Sequence, residues 1–307
     1  MPLRTDAPAI SLRGAAKHYG PVRAVDGVDL EIGSGEVFGL IGHNGAGKST
    51  LFKMMLGLVR STAGDIRIHG APVSGSGFRA VRRAIGYLPE NVVLYDNLTG
   101  TETLRYFARL KGAPLQECAP VLERVGLAGA AGRAVREYSK GMRQRLGFAQ
   151  ALLGSPRVLF LDEPTTGLDP QAIRDFYATL RALREQGVTM ILTSHILAEL
   201  QERVDRLAIL SSGRVQAVGS VQALREGLAL PLRMEVAATE AGAAAVRDAL
   251  RALPVTAHRW QGGLFDGQFP REAKMAVLAA IAGLGSAIRD FRIHEPSLED
   301  VFFGCAD

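Results

Sequence analysis

Residues 42 to 50 read Gly-His-Asn-Gly-Ala-Gly-Lys-Ser-Thr, and the apolar run Val37-Phe38-Gly39-Leu40-Ile41 stands just before them. This order predicts a buried strand, a glycine-rich turn and a helix opening at Lys48, the sequence form of a phosphate cradle. Gly42, Gly45 and Gly47 let the backbone pass close to phosphates with its N–H groups turned inward, and the helix dipole favours their negative charge. Gly42, Asn44, Gly45, Ala46, Gly47, Lys48, Ser49 and Thr50 are therefore expected to contact nucleotide. Lys48 should reach the β- and γ-phosphates, and the Ser49 hydroxyl should ligate Mg²⁺.

A second cluster narrows the chemistry. Val158-Leu159-Phe160-Leu161 is an apolar run ending in Asp162-Glu163-Pro164, as expected of a parallel strand buried on both faces with carboxylates at its C-terminal edge. Asp162 is expected to hold Mg²⁺ through its water shell, because that ion takes few protein carboxylates. Glu163, one residue on and pointing away from Asp162, is placed to polarise an attacking water.

Between these clusters, Tyr138-Ser139-Lys140-Gly141-Met142-Arg143-Gln144-Arg145 precedes a helix reaching about Leu153. It stands where ATP-binding cassette (ABC) ATPases carry Leu-Ser-Gly-Gly-Gln. The chain resembles the ATPase subunit of an ABC transporter over residues 10 to about 220. Its elements follow in the family's order: Tyr19, the loop 42–50, Glu90, the signature 138–142, the strand with Asp162 and Glu163, Thr166-Gly167-Leu168-Asp169, and Ser194-His195.

The resemblance implies ATP and Mg²⁺ as ligands and assigns further roles. Tyr19 would stack on adenine. Ser139, Lys140 and Gly141, at a helix N-terminus, would meet the γ-phosphate of ATP held by a second copy in a head-to-tail homodimer. Asp169 would lie at that dimer seam, and His195 would contact the γ-phosphate and keep the water polarised by Glu163 in line. Two departures stand out. Glu90 replaces the family's glutamine; its carboxylate can still offer an oxygen to Mg²⁺ or water, while adding charge beside the phosphates. Tyr138, Lys140 and Met142 replace Leu, Gly and Gln of the signature, with the serine and second glycine retained. Hydrolysis is expected to survive, with Lys140 adding positive charge at the γ-phosphate.

Composition excludes other classes. At 307 residues the chain has room for about two domains. No stretch approaches the ~20 apolar residues of a membrane helix, and Arg4 and Asp6 without an apolar segment predict no secretion signal. The expected place is the cytoplasmic face of a bacterial inner membrane, held by a partner. Cys118 and Cys305 are far apart, with no Cys-x-x-Cys, so neither a disulfide framework nor a metal site is indicated. The net charge of +5 is scattered; Arg79, Arg82 and Arg83 form its densest cluster and read as a solvated face, so no nucleic-acid partner is expected.

The predicted fold class is α/β: an ABC ATPase core over 1–220, a P-loop sheet with a helical subdomain inserted at about 91–155, followed by a small α+β C-terminal domain over 228–307. Strands are expected at 10–13, 28–32, 65–68, 85–87, 158–162, 188–193 and 206–210. Thr99-Gly100-Thr101-Glu102 fits a capping box opening a helix through Arg109, and a second helical segment runs from Leu115 to Val125. Residues 220–227 read as a linking helix. Beyond them come a strand at 231–237, a helix at 240–252, strands at 255–260 and 264–269 across Gln261-Gly262-Gly263, a helix at 271–283 and a strand at 287–294. That order, βαββαβ, is the ferredoxin-like arrangement.

Within the family, Tyr87 to Val92, Glu102 to Ala113, the altered signature and the tail Glu295 to Phe303 resemble the ATPase subunits of transporters that mature nitrous oxide reductase, a copper enzyme. The Pro296-Ser297-Leu298-Glu299-Asp300 tail also resembles the endings of ABC-2-type exporter ATPases. These resemblances imply two copies working with a polytopic membrane permease subunit, coupled to a periplasmic maturation factor, the groove beside Glu90 receiving a short helix of the permease. The chain has no Met/His/Cys cluster suited to copper, and its sequence leaves the cargo open. Other ABC-2-type exporters, and soluble ABC ATPases of DNA repair or translation, are the alternatives. Against repair proteins, the segment from Thr50 to Ser139 lacks a long heptad run; against translation factors, the chain holds one ATPase unit.

Overall fold

The computed structural model describes residues 7–75, 77–194, 200–227 and 230–296. His195 and the tail from residue 297 onward lie outside the described residues. The chain forms two compact units, Met1–Ser220 and Val221–Asp307.

The first unit begins with strands β1 (Ile10–Tyr19) and β2 (Val22–Ile32), joined through Gly20-Pro21. Ile10 faces Ile32 and Leu12 faces Leu30, all buried, so the paired apolar residues fix the register. β3 (Val37–Ile41) is buried along its whole length and leads into α1 (Lys48–Met55). β4 (Ala63–Ile68) pairs with β1, and the short β5 (Ala71–Pro72) closes that antiparallel sheet in the order β2-β1-β4-β5. α2 (Phe78–Arg83) precedes β6 (Ile85–Leu88), and α3 (Gly100–Lys111), α4 (Cys118–Arg124) and α5 (Lys140–Leu152) form the inserted helical region. The chain continues through β7 (Val158–Leu161), α6 (Pro170–Glu185), β8 (Thr189–Thr193), β9 (Arg206–Ser211) and β10 (Arg214–Gly219).

β10-β9-β3-β8-β7-β6 is one sheet, parallel except for the edge pair β9–β10. Strands buried on both faces need continuous apolar sequence, and Val-Leu-Phe-Leu in β7 and Thr-Met-Ile-Leu-Thr in β8 meet that need. The main core fills the space between the two sheets around α1. Phe52 of α1 meets Phe160 of β7 edge-on at 5.5 Å, and Ile10, Leu12, Val25, Phe38, Leu51 and Met54 close around them.

Several elements differ from the sequence expectation. β1 runs on to Tyr19 because, past register shifts beyond Leu12, His18 and Tyr19 still pair with Arg23 and Val22 of β2. β10 differs from the expectation: Arg-Val-Gln-Ala-Val-Gly is short, half-exposed and ends in glycine, and pairing with β9 makes it a strand. The segments from Leu115 and from Arg271 each open with a 3₁₀ turn before the α-helix proper.

In the second unit, α7 (Val221–Gly227) is followed by β11 (Leu232–Ala238), α8 (Ala243–Arg251), β12 (Thr256–Gln261), β13 (Leu264–Phe269), α9 (Lys274–Gly283) and β14 (Ile288–His294). The sheet order is β12-β13-β11-β14 with every pair antiparallel, the ferredoxin-like topology of a βαββαβ chain. Gly262 and Gly263, at φ 57° and 80°, make the two-residue turn between β12 and β13, which needs left-handed backbone at both positions. Alternation in β11 sends Leu232, Met234 and Val236 inward against Val246, Leu250, Val277 and Ile281, and Arg233 outward to Asp266.

Candidate nucleotide site

The phosphate loop leaves β3 at its C-terminal end and is wedged between neighbouring backbones. A Cβ on Gly47 would lie 2.3 Å from the Ala24 carbonyl oxygen, at a φ of 104° that side chains rarely adopt; one on Gly42 would lie 2.5 Å from the Leu210 carbonyl oxygen. The glycines are thus required by the loop's own packing. Ala46 is fully buried, and its carbonyl accepts from Gly213 N–H at 3.0 Å, tying the loop to the β9–β10 turn. Asn44, Gly45 and Ser49 face solvent and Thr50 is half-buried. Lys48 Nζ donates to the carbonyls of Gly42 and, at 3.0 Å, His43. Burial pushes the Lys48 ammonium below its ordinary value, and Glu163 and Asp162 pull it back up. Loop lysine and both acids therefore share one electrostatic site.

The acids follow β7. Asp162 N–H donates to Leu88 carbonyl at 2.9 Å, and the carboxylate accepts from the Thr193 hydroxyl at 2.6 Å. Burial pushes the Asp162 carboxyl up; the Thr193 hydroxyl opposes this, Glu163 adds to it, and Lys48 and Lys53 work against it. Glu163 has left-handed backbone, φ 47°, and its N–H donates to Thr193 Oγ1 at 3.0 Å. The strand has ended at Leu161, so pleat alternation does not decide where Glu163 points; the turn does. Glu90 is exposed, near the half-buried Tyr87, whose hydroxyl is pushed up by burial first, then by Asp162 and Glu90. Tyr19, 49% exposed at the end of β1, has Lys17 Nζ 4.9 Å from its ring centroid.

The signature residues make contacts elsewhere. Ser139 caps α5, its Oγ accepting from Met142 N–H at 3.2 Å. The Lys140 stem lies along Gly167, where a Cβ would come within 2.8 Å of Lys140 Cδ, and Gly141 faces the Gly167 carbonyl. Asp169 caps α6 by accepting from Ala172 N–H at 2.8 Å. Tyr138, 5% exposed, donates to the Ala130 carbonyl at 2.8 Å, so this departure is a packed anchor of the helical region. Two contributors escaped the sequence reading. Thr193 joins both acids, and buried Gln144 donates from Nε2 to the Pro164 carbonyl at 3.2 Å, fastening α5 to the turn after Glu163. Apolar strand patterning announces neither; only the polar residue at the end of β8 hints at the first.

The family model for ABC transporters matches residues 25–166. The daunorubicin resistance ATP-binding protein DrrA3 of Streptomyces coeruleorubidus is 36% identical over 300 residues, covering 96% of this chain and 94% of that protein. The chain belongs to the ABC transporter ATP-binding subunits. The Nod factor export ATP-binding protein I of Rhizobium sp. (strain N33) is 42% identical over 222 residues, 71% of this chain and 73% of its own length. A solved ATP-binding subunit of an ABC transporter superposes with a TM-score of 0.67 at 33% identity, covering 71% of this chain and 92% of that one. As a member of this family the chain binds ATP with Mg²⁺ and hydrolyses it in support of transport. ATPase domains of the family dimerise and pair with membrane permease subunits. Among the described residues no helix is long and apolar enough to cross a membrane, and ABC ATP-binding subunits are peripheral to it. The residues present fit the ligands: a glycine-rich loop at the N-terminus of α1 with Asn44 and Gly45 open to solvent, a lysine, and the hard oxygen donors of Ser49 and Asp162 that Mg²⁺ prefers.

Proposed function

We propose that this chain is the ATP-hydrolysing subunit of an ABC-2-type exporter, peripheral to the cytoplasmic face of the membrane and working as a head-to-tail pair under a polytopic permease. The observation that carries the catalytic part is the placement of Asp162 and Glu163, tied to one hydroxyl, beside the Lys48 loop. In this reading the loop N–H groups and Lys48 would draw in the phosphates, Ser49 and Asp162 would hold Mg²⁺, and Glu90 would offer an oxygen to the ion or to water. The ion, when bound, neutralises charge developing on the phosphates. Glu163 takes a proton from water as the water oxygen bonds to the γ-phosphorus and the bond to the β–γ bridging oxygen breaks, leaving ADP and phosphate. Tyr19 supports the adenine. Ser139, Lys140, Gly141 and Asp169 complete the partner copy's site, and His195 aligns the water. Glu163→Gln is expected to abolish steady-state hydrolysis while leaving ATP binding intact and trapping a closed dimer; turnover at the native rate would remove Glu163 from this role. Lys48→Ala should lose productive ATP binding.

The names of the relatives, a drug-resistance protein and a Nod factor exporter, support export. The finer reading, maturation of nitrous oxide reductase with a periplasmic maturation factor reached through the assembled complex, rests on the resemblance of Tyr87 to Val92, Glu102 to Ala113, the Tyr138 to Gln144 signature and the tail. Pull-down of the subunit from detergent-solubilised membranes separates these. A permease recovered with a periplasmic copper-maturation factor supports the finer reading, and a permease without one leaves export of another cargo. Recovery of ribosomes or DNA alone would overturn both.

A further inference from the structure

Thr193 is the last residue of β8, 1% exposed, and its side chain meets both acids that follow the neighbouring strand β7. The hydroxyl donates its single proton to Asp162 Oδ1 at 2.6 Å and accepts the Glu163 N–H at 3.0 Å. A hydroxyl has one donor and two acceptor sites, so the direction of both bonds is fixed: an ionised Asp162 can only accept, and a backbone N–H can only donate. Glu163 stands at φ 47°, a left-handed conformation that persists in a residue with a side chain only where its surroundings hold it. The bond from its N–H to Thr193 is such a hold. One hydroxyl thus sets the rotamer of the first acid and the backbone turn that aims the second.

We infer that Thr193 is a positioning residue for ATP hydrolysis, its hydroxyl locking Asp162 and Glu163 into one rigid pair. This rests on the reading of Asp162 as the Mg²⁺-holding acid and Glu163 as the water-polarising one. Packing alone does not account for the choice of threonine. Valine has the same shape and would fill the same buried space, but it would leave the Glu163 N–H without its acceptor and Asp162 Oδ1 without its donor. Oriented partners one shell out from a metal-binding carboxylate typically govern activity roughly 10- to 100-fold, and the effect expected here lies in kcat, because the phosphate loop that binds ATP is untouched.

The test compares Thr193→Val, Thr193→Ser and Glu163→Gln in the full chain. Thr193→Val should lower kcat roughly 10- to 100-fold, require more Mg²⁺ for half-maximal activity, and leave the KM for ATP within about twofold. Thr193→Ser, which keeps the hydroxyl, should restore kcat. Hydrogen exchange of the Glu163 amide, read without nucleotide or Mg²⁺, should quicken in the valine variant and return to the native rate in the serine variant. If the valine variant does not fold, Thr193→Cys, whose thiol is a weaker donor, replaces it with the same expectations. Native kcat and native exchange in the valine or cysteine variant while Glu163→Gln is inactive would overturn the inference and leave the catalytic reading standing. An active Glu163→Gln would overturn the catalytic reading itself. A serine variant as slow as the valine variant would show that the methyl group's packing, and not the hydroxyl, is what matters.

Discussion

Two residues show how far local chemistry reaches in this protein. Gly47 is held at φ 104° with the Ala24 carbonyl where a Cβ would stand. Gly47→Ala should therefore cost about 1–3 kcal/mol for the backbone conformation alone, with the contact adding to it. A lowered Tm together with lost ATP binding is the expected result, and native values for both would contradict the loop's geometry. Lys111 donates to the Leu153 carbonyl at 2.6 Å, and burial pushes its ammonium down to about 8, with Glu117 opposing. A lysine depressed in the folded state binds its proton less tightly there than in the unfolded chain. Stability should then rise with pH between about 8 and the ordinary 10.5. Urea midpoints of the native protein measured against Lys111→Met should show the native chain gaining on the variant from pH 7 to pH 9.5. The glycine was legible in sequence, because a loop pattern specifies it. The lysine was not, because its acceptor belongs to another element.

Among the elements, α3 was the most legible. Thr99 Oγ1 accepts from Glu102 N–H at 3.2 Å and Glu102 Oε2 accepts from Thr99 N–H at 2.8 Å, the reciprocal pair expected from four consecutive residues. The Thr99 N–H and hydroxyl hold the Glu102 carboxyl below its ordinary 4.5. The stability this linkage supplies is present above that ordinary value and is lost as pH falls through the depressed one. Thr99→Ala should lower the urea midpoint at pH 7 and hasten amide exchange in the first turn of α3, with the difference shrinking in acid; an unchanged midpoint would show the cap to be idle. Capping, turn glycines and alternation are contacts between near neighbours, which is why α3, β3, β7 and the βαββαβ order could be read in advance. β10 could not, since its residues become a strand only beside β9.

For the whole molecule, the division after Ser220 leads to a direct expectation. A chain ending at Ser220 should keep a cooperative thermal transition and bind ATP, and failure to purify as folded protein would mean that the first unit needs the second. The sequence by itself determined the phosphate loop, the acidic pair, the resemblance to an ATPase family and the βαββαβ succession of the second unit. It could do so because each rests on residue identities at short spacing: glycines where the backbone must be bare, an apolar run where a strand is buried on both faces, carboxylates at its end. Only the tertiary structure decided that Thr193 binds both acids, that Gln144 fastens α5 to the turn after Glu163, and that Tyr138 anchors the helical region. The bonds of Thr193 and Gln144 join elements 20 to 31 residues apart in the chain, and that of Tyr138 reaches back eight residues to a turn; no local periodicity states these partners. The parallel pairing of β7 with β8 brought Thr193 to the acids, and the packing of α5 brought Gln144 to the turn after them.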